Sequence, residues 1–258
     1  MSLALPILAT LALWWISTGA VLVLGERSDA TRNTAMVIAS LAAFAGLAAI
    51  WGVRDITAPW AAYAGALSAL AIWAWHEMSF LFGLITGPNR APCPPGLRGW
   101  ARFRAAAATL IHHEIALAAT VAALGVMSFG ADNAVGFQLF GLLFLLRLSS
   151  KLNLFFGAPH FADGFLPTRL SYLHSYYSSK PAGLFFMLSA GAIAALSGAL
   201  LWGAVSAVTP FEAAALALLG ALAALGALEH AFLALPVPDS ALWRWLLPAR
   251  DPRRAQDT

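Results

Sequence analysis

The chain has 258 residues, of which 60% are hydrophobic and only 10% charged, with a mean hydropathy of +0.76. A water-soluble domain carries about 25% charged residues, so this chain cannot give itself a charged coat. Disordered, collagen-like and disulfide-scaffold classes fail on the same figures, since Cys93 is the lone cysteine. The fold class expected is all-α: a polytopic membrane protein, a bundle of about seven transmembrane helices in a single integral membrane domain over residues 1–258. A pI near 9.4 superficially suggests nucleic acid, but the net charge is only +3 and the arginines are scattered between apolar runs, so no nucleic-acid partner is expected.

About 20 apolar residues suffice to cross the hydrocarbon as a helix. In chain order the expected spans are Leu3–Leu24, Thr34–Val53, Pro59–Thr86, Ala105–Phe129, Ala134–Phe156, Pro181–Val205 and Phe211–Leu235. Helix is the default because each span must satisfy its own backbone in lipid, and the alternation of a barrel strand is absent. The apolar run at the N-terminus lacks a positive flank and reads as a retained first span. Two connections are substantial: Gly87–Arg104, rich in proline, and Gly157–Lys180, rich in aromatics. Arg98, Trp100, Arg102 and Arg104 look like an interfacial entry into the fourth span. Gly191, Gly198, Gly220 and Gly226 are expected to permit close helix packing.

With seven spans, 14 of the 15 lysines and arginines fall on one face, leaving Arg54 on the other. The positive-inside tendency makes that face cytoplasmic. The N-terminus is then outside and the C-terminal tail, after Leu247, inside.

Ionisable side chains inside spans are costly and call for a partner or a function. Span three holds His76 and Glu77, span four His112, His113 and Glu114, and span seven Glu229 and His230. Three of the five glutamates in the chain are thus both intramembrane and next to a histidine. Counted from the cytoplasmic ends, all three clusters lie about 9 to 14 Å deep at 1.5 Å per residue. They can converge if these spans are neighbours. Imidazole with carboxylate suits iron or another divalent metal, which makes all seven residues candidate ligands. A hydrogen-bonded polar network is the second reading. The third is a bacteriochlorophyll or porphyrin whose central metal takes one histidine. His160, His174, Arg147 and Lys151 are candidates to complete a cofactor site from the same side, although interfacial anchoring and snorkelling explain them more simply.

The stretch WHEMSFLFGLITGPNRAPCPPGLRGWARFRAAAATLIHHEIAL, followed by LRLSSKLNLFFGAPHF, resembles the PuhE-type photosynthetic complex assembly proteins of purple phototrophic bacteria. The resemblance runs from the first span to the seventh. It implies a multi-pass protein of the bacterial inner (intracytoplasmic) membrane, linked to bacteriochlorophyll supply. The partners implied are the lipid bilayer and reaction-centre or light-harvesting subunits, or pigment-biosynthesis proteins. Two functions follow as expectations. One is an assembly factor with a His/Glu metal site in the cytoplasmic leaflet. The other is a membrane-embedded di-iron oxidase or oxygenase acting on a tetrapyrrole or carotenoid-like substrate. No catalytic residue is transferred by the resemblance.

Overall fold

The computed structural model describes residues 3–160 and 166–235. Among these residues the chain is helical, with no strand: α1 (Ala4–Gly25), α2 (Asp29–Val53), α3 (Pro59–Leu81), α4 (Gly99–Ala107), α5 (Ile111–Met127), α6 (Val135–Phe156), a 3₁₀ helix (Thr168–Tyr176), α7 (Leu184–Ser206) and α8 (Pro210–Ala234). It is a polytopic all-α membrane protein. Five helices, α1, α2, α6, α7 and α8, are individually long and apolar enough to cross a membrane. The tandem α4–α5 meets the same standard only as a pair bent by 68°. With 23 residues α3 has spanning length, about 35 Å at 1.5 Å per residue, but His76, Glu77 and its tryptophans dilute its apolarity. Large apolar side chains stand exposed around the bundle, Phe44, Val126, Phe129 and Trp202 among them, as lipid contact requires.

Helix starts follow from local chemistry. Ser28 caps α2 by accepting from the Thr31 amide, and Pro59 occupies the first turn of α3. At α8 the Thr209 hydroxyl accepts from the Glu212 amide, while the Glu212 carboxylate accepts from the Val208 amide, close to a capping box. The third span ends at Leu81, five residues before the expected Thr86. Gly83, at φ +75°, turns the chain there, and the Leu84 and Ile85 amides both donate to the Ser79 carbonyl.

The fourth span corrects the sequence expectation. Ala105–Phe129 is not one helix but α4 and α5, broken at residues 108–110. The cause is a crossing segment. The Asn89 amide donates to the Ala108 carbonyl, and the His113 amide donates to the Thr86 carbonyl, so neighbouring loop backbone takes over groups that a continuous helix would use itself. Only glycine permits the approach: a Cβ on Gly87 would lie 2.2 Å from the Ala108 carbonyl oxygen. The basic, aromatic α4, expected as an interfacial entry, is bent by 68° from α5.

Small residues set the core. A Cβ on Gly46 would meet the Ser68 carbonyl at 2.9 Å, and one on Gly65 would meet the Gly136 amide nitrogen at 3.1 Å, so α3 packs backbone to backbone with α2 and with α6. Gly220 and Gly226 are also close-packed, against Leu201 and Leu146, as expected. Gly191 and Gly198 face open space instead, because α7 meets α8 along its other side. The first helix packs loosely, with four buried residues, mainly on α8 and α3.

The ends of the bundle are told apart by arginine hydrogen bonds. Arg169 donates to the Gly25 and Phe82 carbonyls, and Arg102 to those of Phe155, Tyr176 and Tyr177. The C-terminal ends of α1, α3 and α6 therefore share one end with the 3₁₀ helix. Arg54 donates to the Phe129 carbonyl at the other end. The expectation for the tail after Leu247 lies outside the described residues.

Candidate functional site

The intramembrane carboxylates are held by α6. Its Arg147 and Lys151, four residues apart, project on one side of that helix. Arg147 Nη2 lies 3.4 Å from Glu77 Oε2 on α3, and Lys151 Nζ lies 2.5 Å from Glu114 Oε1 in the first turn of α5. The two carboxylate side chains are each 13% exposed, so both cations serve as counter-charges inside the bundle. Burial of such groups is tolerable only with a partner.

Two of the histidines join this network. The fully buried His113 places Nε2 3.9 Å from Glu77 Oε1, and its ring lies against Phe80 at 4.7 Å. His76 is buried, hydrogen-bonded through Nε2 to the Thr120 hydroxyl at 2.9 Å, with its ring 6.4 Å from that of His113. Glu77 Oε1, His76 Nδ1 and both ring nitrogens of His113 make no hydrogen bond. The third histidine goes elsewhere. His230 is fully buried between the Ser149 hydroxyl and the Gly226 carbonyl, each at 2.8 Å, and faces Phe186.

Next to the Glu77–Arg147 pair opens a half-enclosed apolar cavity of about 320 Å³ between α1, α3, α6 and α8. Its body is leucine with Trp14 and Trp73. Its polar groups include Glu77, Arg147, Glu229 and Tyr177. The volume falls within the range of about 300–1,000 Å³ usual for small-molecule sites.

The structure therefore brings together His76, Glu77, His113, Glu114, Arg147 and Lys151, and Glu229 lines the cavity that Glu77 and Arg147 also line. It leaves His112 exposed on the outer side of α5, and His230 bonded within α8 and α6. His160 is exposed, its amide donating to the Leu233 carbonyl, and His174 rests its ring against Tyr177. Among the described residues no three His, Cys, Asp or Glu side chains form a set able to hold a metal ion. No histidine is among the described residues lining the cavity.

Sequence reading missed the partners that do not ionise. Thr120 extends the network through His76, and Ser149 and Ser189 belong to a separate buried set with His230 and Asn153. The i, i+4 spacing of Arg147 and Lys151 was the readable sign that these cations share a face instead of snorkelling separately.

No solved structure matches the chain. It is similar to a protein of Rhodobacter capsulatus described as an uncharacterized 30.4 kDa protein in the puhA 5′ region, with 36% identity over 246 residues, covering 94% of this chain and 90% of the relative. The family described as "Protein of unknown function (DUF3623)" matches residues 1–254. An all-helical membrane bundle with an intramembrane ion-pair network thus belongs to the DUF3623 family.

Proposed function

We propose that this protein is an assembly factor of the bacterial photosynthetic complex that holds a lipid-soluble, tetrapyrrole-type molecule in the cavity between α1, α3, α6 and α8. The observation that carries the reading is the cavity itself, a leucine- and tryptophan-lined space ending in Glu77, Arg147 and Glu229. An amphiphilic ring system with a carbonyl or carboxyl edge suits such a site, because the apolar walls bury the ring and the fixed charges orient the edge. The location of the relative in a puhA region, and the resemblance to PuhE-type proteins, support a photosynthetic role in the inner membrane. Reaction-centre or light-harvesting subunits, or pigment-biosynthesis proteins, are the partners this reading names.

The ion pairs act as the scaffold of the site. Arg147 belongs to both, since it is bound to Glu77 and lines the cavity. A ligand that drew on Arg147 or Glu77 would be felt by α3 and α6 together. That coupling is a means of reporting cargo to a partner.

The test is purification in mild detergent from a phototrophic host, with a visible absorption spectrum and metal analysis. Bound bacteriochlorin in wild type, lost in Ala74→Phe on the α3 flank and Ser17→Phe on the α1 flank, supports the reading. Stoichiometric iron without pigment would favour the oxidase instead. Absence of pigment under conditions where the photosynthetic complex assembles normally would overturn it.

A further inference from the structure

A second, smaller cavity of about 120 Å³ lies where the end of α3 meets the 3₁₀ helix. Its polar lining is Thr86, Arg90, Arg169 and Tyr172. This is a different place from the apolar cavity, at the basic end of the bundle. Arg169 spends two donors on the Gly25 and Phe82 carbonyls, so it clamps the C-terminal ends of α1 and α3. Arg90 spends one on the Gly83 carbonyl. A guanidinium has five N–H donors in a fixed fork, so both arginines keep donors free for an acceptor in the cavity. Arg32 stands near Arg169, and burial together with this like charge pulls the Arg169 guanidinium below its ordinary value, Glu26 acting against them. The Tyr172 hydroxyl is buried beside Thr86, outside regular hydrogen-bond geometry, and burial raises it above the usual phenol range. These donors converge without a carboxylate among the groups lining the cavity.

We propose that this cavity binds a phosphate group, with Arg90, Arg169 and Tyr172 as its donors. Paired guanidinium forks and a phenolic hydroxyl are complementary to the tetrahedral oxygens of a phosphate, and charge-assisted bonds of this kind are strong. A phosphate has two sources here, the headgroup of an anionic phospholipid and the free ion. Phe82 and Leu170 give the cavity an apolar flank beside the donors.

The test uses the full chain in nanodiscs of phosphatidylcholine, with and without phosphatidylglycerol, and separately in detergent with inorganic phosphate. Lipid retention is read by native mass spectrometry and phosphate binding by thermal shift. Arg169 is left alone because it holds two helices together. Arg90→Gln and Tyr172→Phe are the probes, and Arg54→Gln at the opposite end is the control. The expected result is retention of phosphatidylglycerol over phosphatidylcholine by wild type and by Arg54→Gln, falling about tenfold in Arg90→Gln, as loss of a charged hydrogen bond dictates. Tyr172→Phe should fall by a smaller factor. Stabilisation by inorganic phosphate, lost in Arg90→Gln, without lipid preference would assign the site to the free ion. Equal loss in Arg90→Gln and Arg54→Gln would show general surface attraction and overturn the proposal, as would no preference for either phosphate source.

Discussion

Breaking the Glu114–Lys151 pair tests whether the intramembrane charges hold the bundle together. Removing one partner leaves the other as an uncompensated charge, which costs about 3–5 kcal/mol for a buried pair. Lys151 and Glu114 are 16% and 13% exposed, so the lower end, about 3 kcal/mol, is the working figure. Glu114 also sits in the first turn of α5, where a negative charge gains about 0.3–1 kcal/mol from the helix dipole. Each kcal/mol moves the midpoint of a chain this size by about 2–4 °C, which predicts a loss of about 6–12 °C in Tm for Glu114→Gln and for Lys151→Met alone. The double variant Glu114→Gln/Lys151→Met removes both charges and should recover about 2 kcal/mol relative to the sum of the singles. Thermal unfolding in detergent, followed by tryptophan fluorescence, reads all four corners of the cycle. Additive losses, or single variants melting within 1 °C of wild type, would show that the pair is not a counter-charge inside the bundle.

Gly87→Ala should destabilise by about 3 kcal/mol or more, because a Cβ would sit 2.2 Å from the Ala108 carbonyl oxygen and neither backbone can yield; gel filtration of the solubilised protein should show aggregation where wild type runs as one species. His113→Ala and His230→Ala should both keep bound pigment, since neither side chain lines the apolar cavity, whereas cavity-filling Ala74→Phe should lose it; release of pigment by His113→Ala would reinstate histidine ligation. Reporter fusions to the N-terminus and to the tail after Leu247 should give opposite signals, with the tail cytoplasmic; matching signals would mean an even number of crossings.

The positions of α1, α2, α6, α7 and α8 were legible because length and apolarity alone define them, and Pro59 marked a start; the cap at Ser28 was not read, and α2 begins at Asp29, five residues before the expected Thr34. The break in the fourth span was not legible. Its cause lies some twenty residues away, in the backbone of Thr86–Asn89 passing over Ala108, and nothing within Ala105–Phe129 announces it. For the site, sequence expected the clusters of spans three, four and seven to converge, whereas the structure gathers those of α3 and α5, sets Glu229 on the cavity wall and leaves His230 and His112 apart. Sequence could not assign partners across 37 residues for Glu114–Lys151 or 70 for Glu77–Arg147, since spacing within a helix says nothing about which neighbour it faces. His112 and His113 show the same limit: adjacent residues diverge by about 100°, and only packing decides which one turns inward. The apolar cavity was invisible because a leucine lining it looks like any leucine facing lipid.

The cavity is walled by the first and last of the described helices. The loosely packed α1 supplies one flank and α8 another, so the space is not enclosed while the chain is still emerging. During synthesis, α1 would wait in the bilayer through the insertion of all the intervening segments before α8 arrives to meet it. On the proposed function, cargo capture waits for α8, and a nascent chain ending before Pro210 should be inserted yet empty. The site the proposal names thus forms only when α8 packs against α1.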